Sequence, residues 1–406
     1  MRFSSLVTVV VASAALAAPL TAPATASPAG PPVAVTEKAG LGDPDHGRER
    51  ARYGGRGREL ADARLQSVLD EVVASGAVGV VAEVRDADGV WKGHSGMGDI
   101  GRAQPPRTDG RFRAGSVTKS FVATTVLQLV AEGRLRLDEP VERHLPGLVP
   151  DGERITVRHL LGHRSGLFDY TDGMWPGGLV EMHDTRFRRL APHELVAEAN
   201  RHEPGFAAGT AGRYSNTNYV LLGMLIQKIT GNPAEQEMMR RIVRPLGLRG
   251  TSFPGASTGI PGPNARAYVR LQGPDSGYTD MTKSDMSWAW TAGALISTTR
   301  DLNTFYKALI DGKLLSAEML AQMKDARKLE DGGLYGLGMT RLDSPAFGTA
   351  YGHTGNTPGF TTQSYTLGDG SRQVTLSINS MPATKEEMQK TTEAATALLG
   401  IGTKAR

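Results

Sequence analysis

Two segments with the pattern of β-hairpins stand near opposite ends of this 406-residue chain, and the stretch between them is mainly helical. The first pairs residues 78–84 with 90–95 across the turn Asp86-Ala87-Asp88-Gly89. The second pairs residues 360–367 with 374–378. Sheet-forming ends around a helical middle indicate an α+β fold, in which an antiparallel sheet is flanked by helices and carries an inserted helical lobe.

A helix is predicted beside each hairpin in the sequence. The first has one apolar stripe with spacing i, i+3, i+4, i+7 and i+8 and ends at Gly76, a residue type common just after helix ends. The second extends from about 383 to 399 and ends at Gly400. The stripe of the first helix consists of Leu65, Val68, Leu69, Val72 and Val73.

Residues 1–26 have the pattern of a secretory signal peptide. Arg2 gives a short positive start, residues 6–18 are apolar, and Ala24-Thr25-Ala26 is a small-residue cleavage motif. The alternative is a membrane anchor, which needs about 20 apolar residues, whereas this run ends at Pro19. We expect a secreted, extracellular protein with no membrane span after cleavage, and association with the cell wall is the alternative location.

Residues 27–58 are rich in Pro, Ala, Gly and Arg and lack an apolar period, so we expect a disordered linker. The folded domain is expected over 59–400, followed by a tail at 401–406. A sharper alternative for the linker is weak contact with anionic wall polymers or another polyanion through its arginines. These are Arg48, Arg50, Arg52, Arg56 and Arg58.

Charge and cysteine content exclude several classes of protein. The chain has 46 Lys and Arg against 42 Asp and Glu, a net charge of +4 that gives no argument for a specific nucleic-acid partner. It has no cysteine, so the core must be stable without disulfides, and thiolate metal sites are excluded. His163, His183 and His202 lack the i, i+4 pairing with a glutamate of a zinc site. We interpret them as core or surface histidines and expect neither a metal nor an organic cofactor.

The first motif with chemical content is Ser116-Val117-Thr118-Lys119, at the start of a helix predicted to be buried on all sides. At i and i+3, Ser116 and Lys119 share one face of the first turn, which places an amine beside the hydroxyl. The helix N-terminus adds a positive dipole and free N–H groups. Because serine is a weak nucleophile until a base takes its proton, the pair fits nucleophilic catalysis. The alternative is that Ser116 caps the helix and Lys119 lies on the surface.

The second motif is Tyr214-Ser215-Asn216, between a glycine-rich loop and a helix predicted over 217–230. A nearby Lys119 ammonium would favour the ionised form of the Tyr214 phenol, whose ordinary pKa is about 10, and Tyr214 would then shuttle the proton. In the alternative interpretation, Asn216 is a helix N-cap and Tyr214 a partly buried aromatic residue.

The third motif is His353-Thr354-Gly355, preceded by Gly352. Glycines around a short strand permit close approach of another backbone, so an extended substrate can pair along it. His353 would offer charge or a proton in the cleft, and Thr354 a hydroxyl to a substrate anion. The alternative is a glycine-rich turn with one satisfied histidine.

Taken in this order, the three motifs resemble those of the serine penicillin-recognising proteins, which are β-lactamase-related serine hydrolases. The resemblance is closest to the secreted serine-type D-alanyl-D-alanine carboxypeptidases and covers about 59–400. It extends to four further stretches: Phe112-Arg113-Ala114-Gly115, Ile155-Thr156-Val157-Arg158, His163-Arg164-Ser165-Gly166-Leu167 and Ser287-Trp288-Ala289-Trp290-Thr291-Ala292-Gly293.

The resemblance implies a β-lactamase/transpeptidase-like fold: a five-stranded antiparallel sheet with helices on it, an all-helical lobe, and the site at their junction. It implies that Ser116 attacks a D-alanyl-D-alanine peptide or a β-lactam and is acylated, while Lys119 and Tyr214 move protons, the base being disputed for such sites.

The resemblance also implies a set of substrate-binding residues. The backbone N–H groups of Ser116 and Asn356 would form the oxyanion hole, worth about 3 kcal/mol per donor. Asn216 would bind the acyl-side amide, and the remaining substrate-binding positions are His353, Thr354, Gly355, Trp175 and Trp288.

Two departures from the family pattern stand out. Relatives carry an arginine on the strand before the third motif that can hold the substrate's terminal carboxylate, and here Thr340 takes that place beside Arg341. Because strand neighbours face opposite ways, Arg341 is predicted to point away from the site, which favours an esterase or amidase. The chain also lacks the cysteines of those relatives.

The leading prediction is a secreted serine-type D-Ala-D-Ala carboxypeptidase acting on peptidoglycan-type peptides, acylated by penicillins and monomeric. Its partners are then a small peptide or a β-lactam. The alternatives on the same scaffold are a serine β-lactamase and an esterase or amidase. A non-catalytic cell-wall-binding module is a distant third, because every catalytic residue type is present.

Overall fold

The structure, a computed structural model, describes residues 45–402, with side chains from Arg58 onward. The predicted signal peptide, the first part of the predicted linker and the last four residues lie outside the described residues. No helix within 45–402 combines the length and apolar character needed to cross a bilayer.

Strands from both ends of the chain form one antiparallel sheet at the centre of the described fold. Its eight strands are β1 (Gly79–Asp86), β2 (Gly89–Gly96), β7 (Arg327–Lys328), β8 (Leu334–Tyr335), β9 (Thr340–Ser344), β10 (Gly348–Thr357), β11 (Phe360–Leu367) and β12 (Gln373–Ile378). They lie in the order β2-β1-β12-β11-β10-β9-β8-β7. Two small antiparallel pairs join β3 (Phe112–Arg113) with β6 (Ile296–Ser297), and β4 (Tyr268–Arg270) with β5 (Tyr278–Asp280).

Helices occupy most of the chain between these strands. In the described residues they are α1 (Asp45–Ala74), α2 (Thr118–Ala131), α3 (Val157–Leu161), α4 (Tyr170–Met174), α5 (Gly178–Asp184), α6 (Pro192–Ala199), α7 (Asn216–Thr230), α8 (Ala234–Met238), α9 (Trp290–Gly293), α10 (Thr299–Ile310), α11 (Ala317–Lys324) and α12 (Lys385–Gly400). Short 3-10 turns span Gly115–Val117 and Val141–Arg143, and a π turn spans Met239–Val243.

One face of the sheet is apolar and packs against α1 and α12. In β1 the alternate residues Val80, Ala82 and Val84 point to this face and share a buried cluster with Leu69 of α1 and Leu398 of α12. β1 lies beside β12, so the first and the last strand of the described residues are hydrogen-bonded neighbours in the sheet. The predicted α+β class with an inserted helical middle is confirmed.

The opposite face of the sheet contacts α10 through buried polar groups. Asn303 donates to the Glu83 carbonyl at 3.0 Å and accepts from Thr375 Oγ1 at 2.7 Å. From the other side of α10, the hydroxyl of Tyr306 lies 2.9 Å from that of Ser120 in α2. Because buried polar groups of this kind need specific partners, they fix α10, and with it α2, relative to the sheet.

Three boundaries differ from the sequence prediction. The five strands of six or more residues match the predicted five-stranded sheet, and β9, which contains the strand position expected at Thr340, extends it beyond β10. Strands β8 and β7 extend it further and were not predicted, because two residues give no periodic pattern. Helix α1 begins at Asp45 rather than near 59, and it continues through Gly54, Gly55 and Gly57, which disfavour helix, so the composition of this stretch did not predict its start. Ile401 packs in the core instead of starting a tail.

Candidate active site

Ser116 lies in the 3-10 turn between β3 and α2, where that turn meets β10. Gly115 has a φ of +55°, and a Cβ on it would lie 2.7 Å from the backbone nitrogen of Asn356. A Cβ on Gly355 would lie 1.9 Å from the carbonyl oxygen of Ala114. Glycine is therefore required on both sides of the contact, and two backbones meet with no side chain between them. This contact brings the predicted oxyanion donors, the N–H groups of Ser116 and Asn356, to the same place.

Lys119 is fully buried, and its amine has three acceptors. Nζ donates to Ser116 Oγ at 3.0 Å, to Asn216 Oδ1 at 2.7 Å and to the Ala292 carbonyl at 2.7 Å. The alternative of a surface lysine is wrong, and Ser116 does not cap α2, whose N-cap is Val117. The amine, the hydroxyl and the amide of two distant motifs therefore converge.

Burial lowers the pKa of Lys119 to about 7, and the Asp169 carboxylate opposes that shift. A buried ammonium loses its hydration, so the neutral amine is favoured. At neutral pH about half of the amine is then unprotonated and able to accept the proton of the Ser116 hydroxyl 3.0 Å away.

Tyr214 lies over the same amine, but its electrostatics differ from the prediction. Its ring centroid is 4.9 Å from Lys119 Nζ. Burial raises the pKa of the Tyr214 phenol well above 10, and the hydrogen bond with Ser116 lowers it by less. The predicted ionised phenol is therefore wrong, because the cost of removing a phenolate from water exceeds what the hydrogen bond with Ser116 gains. Tyr214 remains a neutral phenol in contact with Ser116 and can pass a proton on.

Asn216 is the first residue of α7, after the N-cap Ser215, so the N-cap alternative is wrong. Its side-chain oxygen faces Lys119, and its Nδ2 donates to Asp169 Oδ2 at 2.9 Å. Asp169 is a site residue that the sequence analysis missed. An aspartate just before a helix has the sequence signature of an N-cap, which Asp169 also is.

Aromatic rings enclose the Tyr214 side of the site. His163, buried and in the left-handed region with a φ of +56°, packs on Tyr214 in a tilted arrangement with 4.1 Å between ring centroids. Its Nδ1 accepts the Ser215 N–H at 3.2 Å, which holds the loop that carries Tyr214. Tyr335 of β8 approaches the His163 ring edge-on at 4.6 Å. His163 is thus a core histidine, one of the two positions that the sequence analysis left open, and it supports the loop behind the site.

His353 does not offer charge in the cleft, which corrects the sequence prediction. It is 2% exposed, and burial lowers its pKa to about 3. Its Nδ1 bonds to the carbonyl of Thr354, so Nε2 is the acceptor for the Tyr335 hydroxyl at 2.9 Å. A neutral imidazole with both nitrogens engaged supports the strand rather than the substrate.

The strand after His353 has an open edge, and its role as a substrate platform stays a prediction. In the described residues β9 pairs with β10 only as far as Gly352, so 353–357 is an edge without a neighbouring strand on that side. Thr354 is half-buried and Asn356 exposed along this edge. An extended substrate can pair with it main chain to main chain.

The two predicted cleft tryptophans are in contact. Trp175, just after α4, and Trp288, just before α9, pack edge to face at 5.1 Å and are both half-buried. Tyr170 fixes the second of them by donating its hydroxyl to the Trp288 carbonyl at 2.6 Å. The pair joins the segment that contains Asp169 to the segment that contains Ala292.

The strand before the third motif contributes no guanidinium to the site. Thr340 is buried and hydrogen-bonds to the Tyr365 phenol. Arg341 donates to its neighbour Asp343 at 3.0 Å, with more than a third of its side chain exposed. Among the described residues neither has a hydrogen bond or ion pair to Ser116, Lys119 or Tyr214. Nor do residues 58–402 contain a group of three or more His, Asp or Glu placed to hold a metal ion.

Comparison with known proteins gives one family model and several full-length structural neighbours. The beta-lactamase family model matches residues 65–399. The crystal structure of a D-stereospecific amidohydrolase from a Streptomyces species superposes with a TM-score of 0.76 at 37% identity, covering 82% of this chain and 98% of that one.

Curated relatives match over shorter regions. Esterase EstB of Burkholderia gladioli is 34% identical over 215 residues, 48% of this chain and 52% of the esterase. Penicillin-binding protein 4* of Bacillus subtilis is 26% identical over 311 residues, 70% of this chain and 64% of that protein. The matched region therefore spans less than two thirds of either relative.

Proposed function

Because the chain belongs to the beta-lactamase family and is a serine hydrolase of that fold, we propose that it is an amidohydrolase that cleaves short D-amino-acid amides through an acyl-enzyme on Ser116. The observation that carries this proposal is the buried Lys119 amine, with a pKa of about 7, 3.0 Å from the Ser116 hydroxyl. That geometry supplies a neutral base at the nucleophile.

In the proposed acylation step, Ser116 Oγ attacks the substrate carbonyl carbon and its proton passes to Lys119 Nζ. The carbonyl oxygen becomes an oxyanion that accepts hydrogen bonds from the backbone N–H groups of Ser116 and Asn356. When the C–N bond breaks, the leaving amine takes a proton from the Tyr214 phenol, which recovers one from the Lys119 ammonium. In deacylation, water attacks the ester carbonyl carbon and its proton passes through Tyr214 to Lys119. The C–O bond to Ser116 then breaks, Ser116 Oγ takes the proton from Lys119, and the acid is released.

The preference for an amide over a C-terminal peptide rests on the strand before the third motif. A carboxypeptidase binds a terminal carboxylate, for which a guanidinium is the best-matched partner. Thr340 and Arg341 are both committed to other contacts. The 37% identity to a D-stereospecific amidohydrolase along 98% of its length supports the same choice and is the source of the proposed D-configuration.

The second candidate is the serine-type D-Ala-D-Ala carboxypeptidase predicted from the motifs. The free edge of β10 over 353–357 favours it, because an extended peptide can pair there. The similarity to penicillin-binding protein 4* supports it as well.

Turnover of matched substrates distinguishes these candidates. D-Alanine amide and D-phenylalanine amide with their L-enantiomers, an acylated D-alanyl-D-alanine, nitrocefin and p-nitrophenyl butyrate are assayed with the wild type and Ser116→Ala. We expect the D-amides to be hydrolysed faster than the L-amides and the variant to be inactive on all. Faster release of D-alanine from the dipeptide would favour the carboxypeptidase, rapid nitrocefin turnover a β-lactamase, and cleavage of the ester alone an esterase.

We further propose that the enzyme acts outside the cell, on the strength of the signal pattern in 1–26. Expressed with its own N-terminus, the protein should be recovered from the medium with Ser27 as its first residue, as N-terminal sequencing would show. Recovery of the uncleaved chain in the cell fraction would contradict this.

A further inference from the structure

The carboxylate of Asp169 accepts four hydrogen bonds at the junction of α4 and α7. Oδ2 accepts the backbone N–H of Asn216 at 3.0 Å and its side-chain Nδ2 at 2.9 Å. Oδ1 accepts the backbone N–H of Thr171 at 3.0 Å and its hydroxyl at 2.8 Å. Each oxygen therefore faces two donors, and only one of the four bonds is the capping bond that the start of α4 requires.

Only a carboxylate satisfies this arrangement. An ionised aspartate presents acceptors alone, whereas the amide of asparagine replaces one oxygen with an NH2 group that only donates. In either orientation such an amide would place donors against donors, at Asn216 or at Thr171. The capping role does not demand this, since serine, threonine and asparagine cap helices as well as aspartate does.

These hydrogen bonds affect the Lys119 amine because they fix the orientation of the Asn216 amide. With Nδ2 held by Asp169, the amide of Asn216 can present only its oxygen to Lys119, and Oδ1 lies 2.7 Å from Nζ. A flipped amide would put its NH2 against an ammonium. Hydrogen bonds thus link the Asp169 carboxylate through the Asn216 amide to the Lys119 amine, which lies 3.0 Å from the Ser116 hydroxyl.

We propose that Asp169 is a positioning residue for acylation, which fixes the Asn216 amide so that Lys119 is held beside Ser116 and supplies a negative charge on that side of the buried amine. The proposal rests on Ser116 as the nucleophile and is independent of which leaving group the enzyme prefers.

The charge of Asp169 acts on the protonation of Lys119. It is the carboxylate that raises the pKa of Lys119 against the larger effect of burial. The other titratable groups around the amine are neutral imidazoles and phenols, so none of them replaces that charge. They are His163 before α4, Tyr214 before α7, Tyr219 in α7, and His353 in β10.

The test is Asp169→Asn with Asp172→Asn as its matched control. Asp172, three residues further along in α4, is exposed and has no side-chain hydrogen bond in the described structure, so the control removes the same charge without touching Asn216. The rate constant of acylation by p-nitrophenyl acetate is measured by stopped flow from pH 5 to 9. We expect D169N to lose about tenfold or more in this rate constant. On the acid limb, where the rate constant falls as the pH is lowered, the midpoint should move to lower pH, because Lys119 then loses its proton more easily. D172N should stay within about twofold, with its midpoint unmoved.

A purely structural role for Asp169 gives a different result. Loss of the helix cap alone would lower the melting temperature and leave the acid limb where it is, so an unmoved limb in folded D169N overturns the proposal. If D169N does not fold, Asp169→Glu provides the test, because it keeps the charge but displaces the carboxylate oxygens. Acylation should then be slower, while the midpoint of its pH dependence stays near the wild-type value. Acylation at the wild-type rate would refute the positioning role.

The wild-type protein separates this proposal from the proposed function. An ester burst without amide turnover would reject the amidohydrolase and leave the Asp169 experiment intact. Ester hydrolysis by Ser116→Ala at the wild-type rate would instead reject Ser116 as the nucleophile and both proposals with it.

Discussion

Replacing Lys119 with methionine should change how the stability of the protein depends on pH. The pKa of this lysine is about 7 in the folded protein and close to the ordinary 10.5 in the unfolded chain. Between these values the unfolded chain binds more protons than the folded protein, so the free energy of unfolding of the wild type rises with pH. The variant has no amine at this position and loses that contribution.

The expected size follows from the gap between the two pKa values. From 10.5 to about 7 the gap is worth about 5 kcal/mol at roughly 1.36 kcal/mol per pKa unit. Between pH 7 and 9 the wild type should gain about 2 kcal/mol relative to the variant, because the folded amine is only half protonated at pH 7. The hydrogen bonds from Nζ to Asn216 and Ala292 are also lost, but they add an offset that changes little with pH in this difference.

Urea unfolding followed by tryptophan fluorescence at pH 7, 8 and 9 measures this difference. The chain has four tryptophans to report unfolding and no cysteine to exchange disulfides at alkaline pH. The exposed Lys283 provides the control, since Lys283→Met removes a lysine from the surface. Parallel pH dependences for the wild type and K119M would refute the claim that burial makes this amine a base, and with it the proposed acylation step.

Three further predictions test the surroundings of that amine. The kcat/KM for ester hydrolysis should fall about tenfold per pH unit below a midpoint near pH 7, where Lys119 becomes protonated. His353→Gln should keep that midpoint, because the pKa of His353 is about 3. Loss of this pH dependence in the His353 variant would contradict the assignment of the midpoint to Lys119. Gly355→Ala should reduce acylation at least a hundredfold, since its Cβ would lie 1.9 Å from the Ala114 carbonyl oxygen, and near-normal rates would refute the tight contact. Tyr335→Phe should cost about 1–3 kcal/mol in urea unfolding by leaving Nε2 of His353 unpaired, with the acid limb unmoved; unchanged stability would contradict the buried bond.

The main elements of the fold could be predicted from the sequence because each carries its own periodicity. Val80, Ala82 and Val84 alternate toward one face of β1, and the stripe on α1 repeats every three or four residues. The strands β7 and β8 have two residues each and no period to detect. Their pairing depends on β9 being held beside β10, which is a tertiary effect.

In the candidate site too, residues in local motifs could be predicted, whereas a residue that depends on a distant contact could not. Ser116, Lys119, Tyr214 and Asn216 belong to short motifs, and the resemblance of those motifs to the family predicts that they converge. Asp169 was not, because its partner Asn216 is far along the chain and its own neighbours give only the signature of a helix cap.

The tertiary environment also reverses one electrostatic inference that the motifs encourage. The motifs predict that the Lys119 ammonium lies near Tyr214 and favours the ionised form of its phenol. In the fold Lys119 is buried and Tyr214 is half-buried, and loss of hydration favours the neutral form of each, lowering the pKa of Lys119 and raising that of Tyr214.

A neutral amine is useful as a base only if it can hold the proton once it has taken it from the serine. The three oxygens around Nζ, on Ser116, Asn216 and Ala292, are placed to accept from the ammonium that forms, and Asp169 adds a full charge behind one of them. Burial therefore sets the resting state of the amine, while the fixed oxygens stabilise the protonated state that the reaction produces. Because these two effects come from different parts of the fold, a substitution at Asp169 should alter the second while leaving the burial of Lys119 in place.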